Sequence, residues 1–417
     1  MFDLDRFQEI WVTITRNKVR SFLTGFGVFW GIFMLMIMLG AGTGLQHGMM
    51  DQLEGFATNS CFIEASTTGQ PFHGFQKGRN WNIHNRDVEI LLNSVPELDC
   101  LSPMLFGGRN ANNIVYNDNY GTFQIKGVFV NYTKIERQSI ENGRFINELD
   151  NLEERKICVI GSKVYEELFP TKENPIGRYV RIWGIYFQVV GVVSGISNVS
   201  IGGRSAESVF LPFKTLQKVI NQGDVIHLLG ATAKPNVPVS KMEAKMKEIL
   251  KSNNHIAPTD EQAIWSINLE SQFNIFKFLF IGIAIVIWIV GSGTLIAGII
   301  GVSNIMVVTV KERTKEIGIR RALGAKPRTI IGQIMWESLV LTAIAGILGL
   351  CLGVLCLYLA DTLWLQNAEN MFISNPIVSF STAVTSTMIL LFFGLIAGLI
   401  PAARAMQIKA IDAIQEE

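Results

Sequence analysis

His73 and His84 bracket a polar loop with Trp81 between them, a spacing that invites a transition-metal site. No third ligand accompanies them, so both are read as surface histidines and no metal is expected. Cys61, Cys100, Cys158, Cys351 and Cys356 form no CxxC pair and no metal-ligand spacing, which argues against zinc, a disulfide framework and thiol redox chemistry. At most one disulfide can join the first three, and none is expected to be essential. Phosphate chemistry needs a GxxxxGK(S/T) loop whose backbone amides cradle the phosphates. The nearest look-alike, Gly318 to Lys326, has the wrong spacing, so the chain is expected to bind neither ATP nor any other cofactor. There is no GxSxG, no HExxH and no acid pair flanking a pocket, so catalysis is not expected. Asn131-Tyr132-Thr133 and Asn198-Val199-Ser200 satisfy the glycosylation sequon, a motif too short to carry weight.

What remains is charge in unusual places. Glu337 interrupts an otherwise uncharged apolar tract nine residues after Arg328, which is about 13 Å along a helix. A charge at mid-bilayer costs about 2.5–3.5 kcal/mol on insertion scales. Glu337 therefore either pairs with a cytoplasmic-side arginine or a backbone group, or serves coupling. Just ahead of it, Lys311, Arg313, Lys315, Arg320, Arg321, Lys326 and Arg328 crowd one short connection. Within it, Glu316 to Leu323 suits a short helix ended by Gly324, whose missing Cβ permits a left-handed cap, with Pro327 opening the next segment. Such a helix suits docking onto a cytoplasmic partner or anchoring at anionic headgroups.

These residues must be positioned by a membrane protein. Of the 417 residues, 49% are hydrophobic and 17% charged, and the mean hydropathy is +0.31, which rules out a wholly soluble chain. The 36 Lys+Arg against 35 Asp+Glu leave a net charge of +1, so no basic field exists to hold nucleic acid. Four apolar tracts exceed the roughly 20 residues that cross hydrocarbon. The first is too long and too rich in bulky residues (Phe26, Phe29, Trp30, Phe33) for a signal peptide. The fold class is an α-helical polytopic membrane protein with four transmembrane helices and a large α+β extracytoplasmic domain inserted between helices 1 and 2.

Residues 1–20, with Leu4, Phe7, Trp11 and Ile14 on one stripe, read as an amphipathic helix in the cytoplasmic interface. The first span is 21–50, the extracytoplasmic domain 51–275, and the second span with a stalk 276–310. The cytoplasmic loop is 311–328, the third span 329–360, the outer loop 361–376, the fourth span 377–403 and the cytoplasmic tail 404–417. Lys and Arg crowd the N-terminus and the 311–328 loop and are absent from 361–376, so the positive-inside rule puts both termini in the cytoplasm. In the large domain, 85–95 and 241–251 read as amphipathic helices, and 156–160, 179–183, 185–193 and 208–211 as strands, with Trp183-Gly184 a hairpin turn. Residues 67–80 and 195–204 read as loops.

Small residues recur at close-packing intervals: Gly27 and Gly31, Ala297 and Gly301, Ala345, Gly349 and Gly353, Gly394 and Gly398. That spacing serves helix contact, either within one subunit or across a dimer.

Three stretches resemble one family. Arg16-Asn17-Lys18-Val19-Arg20-Ser21-Phe22-Leu23-Thr24 leading into Gly27 and Gly31 resembles the first-span entry of MacB-like and FtsX-like ABC transporter permeases. The run from Lys311 through Glu312, Arg313, Glu316, Gly318, Arg320, Arg321 and Gly324 to Ala325 is similar to that family's signature after the second span. Gly398 followed by Pro401-Ala402-Ala403-Arg404-Ala405 resembles its ending. Gly143-Arg144-Phe145, Val159-Ile160-Gly161, Leu168-Phe169-Pro170, Pro175-Ile176-Gly177 and Phe187 to Val192 resemble the MacB-type periplasmic core, so the likeness covers nearly the whole chain.

The resemblance implies a permease subunit in the bacterial inner membrane, without its own ATPase site, that couples a separate ATPase to movement of the outer domain for export by mechanotransmission. ATP and Mg are implied on that ATPase subunit. Glu312, Arg313, Glu316, Gly318, Arg320, Arg321 and Gly324 are implied as the coupling residues. Further implied partners are a second permease (a homodimer or a paralogue), a periplasmic adaptor with an outer-membrane duct, and membrane lipid, with no nucleic acid. Release of lipoproteins and control of envelope hydrolases use the same transmission with another outer partner. A receptor or scaffold without ATP coupling is a different class, and a secondary transporter is disfavoured by the lack of intramembrane charges. Two departures stand out: the ATPase domain fused in MacB is absent here, and Ala410 stands where the family's tail commonly has proline.

Overall fold

A long apolar segment in lipid has no water to satisfy its backbone, and the helix is the local solution. The computed structural model, which describes residues 18–53, 55–108, 113–171, 173–196, 201–365, 376 and 378–407, contains 4 helices long and apolar enough to cross a membrane. The chain divides into two units, Met1–Met49 with Phe278–Glu417, and Met50–Lys277. The expected interfacial helix up to residue 17, most of the 361–376 loop, the tail from residue 408 with Ala410, and the Asn198 sequon lie outside the described residues.

The helical unit is built from α1 (Lys18–Leu53), α2 (Leu269–Glu312), α3 (Thr314–Ala322), α4 (Pro327–Ala360) and α5 (Phe380–Gln407). Glycines set which helices touch. A Cβ on Gly298 of α2 would fall 2.8 Å from the backbone carbonyl of Gly27 on α1, and one on Gly31 would fall 3.3 Å from the Thr294 carbonyl oxygen. On α4, a Cβ at Gly349 would meet the Phe29 carbonyl oxygen at 2.6 Å, and one at Gly353 the Met36 Cβ at 2.8 Å. On α5, a Cβ at Gly394 would meet Thr342 at 2.8 Å and one at Gly398 would meet Ser338 at 3.3 Å. So α1 lies against α2 and α4, and α4 against α5, all within one chain. Ala297 and Gly301 take no part: Gly298, on the neighbouring face, makes the contact, Ala297 is exposed, and a Cβ on Gly301 would meet nothing within 4 Å. α4 starts with Pro327 at its first turn, where a missing N–H costs nothing. Pro401 lies inside α5.

In the other unit, strands run in the order Ile264–Asn268, Ser60–Ala65, Leu228–Ala233, Leu98–Gly107, Gln124–Val128, Ser208–Pro212, Ile157–Gly161, Ile185–Gly195, Tyr179–Ile182, Ile114–Tyr116, Asn119–Gly121. Gln138–Gly143 pairs alongside Ile185–Gly195. The pairs Gln124–Val128 with Ser208–Pro212 and Ile157–Gly161 with Ile185–Gly195 are parallel and the other pairs antiparallel, giving a mixed sheet. Alternation sorts its side chains into two cores: Ile63, Leu105, Cys158 and Ile160 on one face, Phe62, Met104, Val159 and Phe210 on the other. Helix Val239–Asn253 covers the first face through Met242, Met246 and Leu250. Trp183 and Gly184 turn the hairpin with φ of 46° and 84°, the left-handed pair that a two-residue loop requires.

Asp150 ties a corner of this unit together. Its carboxylate accepts from Arg144 at 2.6 and 3.1 Å, from Arg155 at 3.4 Å and from the Asn147 N–H at 2.9 Å, while Asn147 caps the Asp150 N–H in return. Burial pushes this carboxyl up, but the Arg144 and Asn147 hydrogen bonds outweigh it and hold Asp150 below the usual carboxylate range. A carboxylate lowered in the folded state stabilises above its unfolded value of about 3.9, and that contribution disappears as the pH falls through the folded value. Thermal unfolding followed from neutral to acid pH should show this loss, on the order of 2 kcal/mol, and Asp150→Asn should remove it at neutral pH and flatten the acid limb. An acid limb unchanged by the substitution would show that the charge is not what holds the corner.

Candidate functional site

Five of the charged groups singled out after the second span, Arg313, Glu316, Arg320, Arg321 and Glu337, gather around α3. Arg313, the residue between α2 and α3, lies with its Nη1 3.4 Å from Glu337 Oε2 on α4. Glu337 is only 6% exposed, so this pairing supplies part of what a buried carboxylate needs. Glu316 pairs with Arg320 at 2.8 Å one turn along α3, and Arg320 also donates to Gln333 Oε1 on α4 at 2.8 Å. Arg321 Nη1 donates to the Met406 carbonyl at 3.1 Å, near the end of α5, where helical carbonyls lack partners of their own. A cavity of about 30 Å³, enough for about one or two waters, is lined by Arg313, Glu316, Arg320, Gln333 and Glu337 among apolar neighbours.

α3 closes as its sequence suggests. The Ala325 N–H reaches the Arg320 carbonyl at 3.0 Å and the Gly324 N–H the Arg321 carbonyl at 3.1 Å, with Gly324 at φ 89°, the left-handed end that excludes most side chains. Ile317 and Gly318 are buried toward the bundle, and Glu312 is exposed at the end of α2.

Arg320 and Arg321, implied as coupling residues, are engaged with α4 and α5. The outward face is different: Leu323 is 83% exposed and Ile319 46%, and Lys315, Lys326 and Arg328 are exposed in the same stretch. Sequence reasoning did not single out Ile319 or Leu323. The available signal was two apolar residues four apart among charges, on a helix whose other apolar position, Ile317, sits on the opposite side.

The remaining candidates lie elsewhere. His84 Nδ1 sits 2.9 Å from Asp224 Oδ1, Trp81 Nε1 donates to the Ala263 carbonyl at 2.9 Å, and His73 joins neither. Among the described residues no set of three His, Cys, Asp or Glu side chains could hold a metal ion. Cys61, Cys100 and Cys158 are buried free thiols; burial, with Glu243 nearby, pushes the Cys61 thiol up to about 12, and burial raises Cys158 further.

Comparison with known proteins accounts for both units. The model of the MacB-like periplasmic core domain matches residues 21–249, and that of the FtsX-like permease C-terminal region matches residues 288–410. The macrolide export ATP-binding/permease protein MacB of Bdellovibrio bacteriovorus is 26% identical over 99% of this chain and 62% of its own length. The pyoverdine export ATP-binding/permease protein PvdT of Pseudomonas putida is 27% identical over 99% of this chain and 60% of its own. The chain thus spans about three fifths of the length of the curated relatives it matches. Among solved structures, the periplasmic region of MacB from Actinobacillus actinomycetemcomitans aligns with a TM-score of 0.43 at 19% identity, covering 54% of this chain and 95% of that one.

Proposed function

The chain belongs to the family of MacB-like ABC exporter permeases, and from that premise we propose that it is the transmembrane part through which an ABC ATPase drives export. ATP and Mg²⁺ bind that ATPase, in keeping with the lack of a phosphate loop in these 417 residues. The single observation that carries the reading is α3, a short helix clamped to α4 through Arg320 and Gln333 and to α5 through Arg321 and Met406, with Leu323 and Ile319 left facing outward. A load placed on that apolar tip passes directly into two membrane helices, while Lys315 and Lys326 complement an acidic groove rim. The working unit is two permeases with two ATPases, extended on the outer side by an adaptor and an outer-membrane duct. ATP-driven closure of the ATPases moves the spans and, with them, the extracytoplasmic domain.

Leu323→Asp with Ile319→Asp is the direct test, because neither side chain is needed inside the bundle. Reversing Arg320 or Arg321 is less clean, since it also breaks contacts to Gln333 and Met406. Losing a pair of anchor residues costs about 2 kcal/mol or more, roughly thirtyfold in affinity. The ATPase should no longer copurify with, or be stimulated by, normally inserted permease. Full binding and stimulation in the double variant would refute the docking assignment.

The proposed orientation, with both termini and α3 in the cytoplasm of a bacterial cell and the inserted domain beyond the inner membrane, rests on the Lys and Arg distribution. After removal of Cys351 and Cys356, Lys77→Cys should react with an impermeant maleimide from outside and Lys315→Cys should not. The three native thiols of the inserted domain are buried and should stay silent. The reverse labelling pattern would invert the topology and remove the basis for ATPase docking at α3.

A further inference from the structure

His73 and His255 are far apart in the chain, yet their ring centres lie 5.6 Å from each other on the inserted domain. His73 opens a two-residue turn between Phe72 and Phe75, whose backbones exchange hydrogen bonds of 3.1 and 2.9 Å, and its φ is 48° beside 84° at Gly74. His255 occupies the left-handed position just past helix Val239–Asn253, with φ 53°, where the Ile256 N–H closes the helix end on the Lys251 carbonyl at 2.9 Å. Glycine or asparagine fills either position at least cost. Histidine stands at both, and the two rings meet. Packing explains only one side of the pair, where Phe72 lies edge-on to His73 and Phe75 stacks toward His255. Both histidines are exposed, and neither ring makes a hydrogen bond among the described residues.

We propose that His73 and His255 form a binding site for a divalent late first-row transition ion, with zinc as the reference. Imidazole nitrogen is a preferred ligand of zinc, copper and nickel. An ion held tetrahedrally at about 2.0–2.1 Å from one nitrogen of each ring sets the ring centres about 5 Å apart, close to the spacing in the fold. The neighbouring cations are already engaged: Lys247 with Glu243 at 2.6 Å, Lys251 with the Pro258 carbonyl at 2.9 Å, and Arg79 with the Asn254 carbonyl at 2.6 Å. Glu248 and Glu261, which line a cavity of about 720 Å³ together with His73, form no ion pair among the described residues. No third ligand is in place. The ion therefore takes two nitrogens from the protein, and water or a rotated Glu248 or Glu261 carboxylate completes its coordination.

The test is zinc uptake by the full chain, purified in detergent without a polyhistidine tag and measured by equilibrium dialysis against zinc chloride near neutral pH. The parent should take up one ion per chain. His73→Asn and His255→Asn should each weaken binding at least about tenfold. Both variants should fold as well as the parent without zinc, because asparagine suits a left-handed backbone. His84→Asn, whose ring is held by Asp224, should bind as the parent does. Absence of uptake by the parent, or parent-like affinity in either His73→Asn or His255→Asn, would overturn the site.

Discussion

Replacing Gly298 by leucine should keep α1 and α2 from closing on each other and cost about 3 kcal/mol or more. Any Cβ at this position falls 2.8 Å from the Gly27 backbone, and backbone cannot rotate out of the way as a side chain can. The helices must separate, and with them go the neighbouring contacts of Gly31 with Thr294 and Leu295 and of Gly291 with Leu35. Gly301→Leu is the internal control: it lies on the same helix and carries the same propensity change, but its Cβ meets nothing within 4 Å, so its effect should stay within about 0.5 kcal/mol. Unfolding in mixed micelles and ATPase stimulation should both separate the two variants. Equal damage at the two positions would place the constraint outside this helix pair.

Glu337→Ala should be the most damaging single charge removal in the helical unit, at about 3 kcal/mol. It leaves Arg313 without its carboxylate partner at a small, largely enclosed cavity, and deleting one member of a buried pair exposes the desolvation that the pair had offset. The value sits at the low end for buried pairs because Arg313 is 31% exposed and retains some hydration. Arg313→Ala in the same chain should restore part of the loss, since the double variant buries no lone charge. The two substitutions should also uncouple ATPase stimulation from ATPase binding, because Arg313 and Glu337 fasten α3 to α4 without forming its outward tip. Strict additivity of the two losses would mean that the groups do not interact.

Local signals carried a good part of the architecture. The Trp183-Gly184 turn, the Met242, Met246 and Leu250 stripe and the Gly324 cap each depend on a few adjacent residues, and each is present in the fold. Central strands were harder to read. Leu98–Gly107 contains Pro103, which lacks an N–H and argues against a paired strand, yet it runs between Leu228–Ala233 and Gln124–Val128. Ile157–Gly161, buried on both faces, is a plain apolar run that was legible as a strand, but with no alternation to set its limits the expected bounds of 156–160 fall one residue early. Around α3, the charged residues could be read from the sequence but their partners could not: long arginines reach back to Gln333 and Met406, and only the tertiary fold shows that Ile319 and Leu323 are then left exposed. His255 gave no local sign of meeting His73, because nothing in either segment encodes the other.

The length of α2 has a mechanical consequence. At about 1.5 Å per residue its 44 residues form a rod of about 66 Å. Confining that rod to a hydrocarbon layer of about 30 Å would need a tilt of about 60°, beyond the range of about 0–40° that membrane helices adopt. Even at 40°, about 26 residues complete the crossing and roughly 18 stand clear of it. The rod contains no proline to act as a joint. Rocking it by about 5° about one end sweeps the other end through about 6 Å, more than the rise of a full helical turn. A rod of this length magnifies a change of angle at one end, whereas a slide along its axis reaches the far end unmagnified.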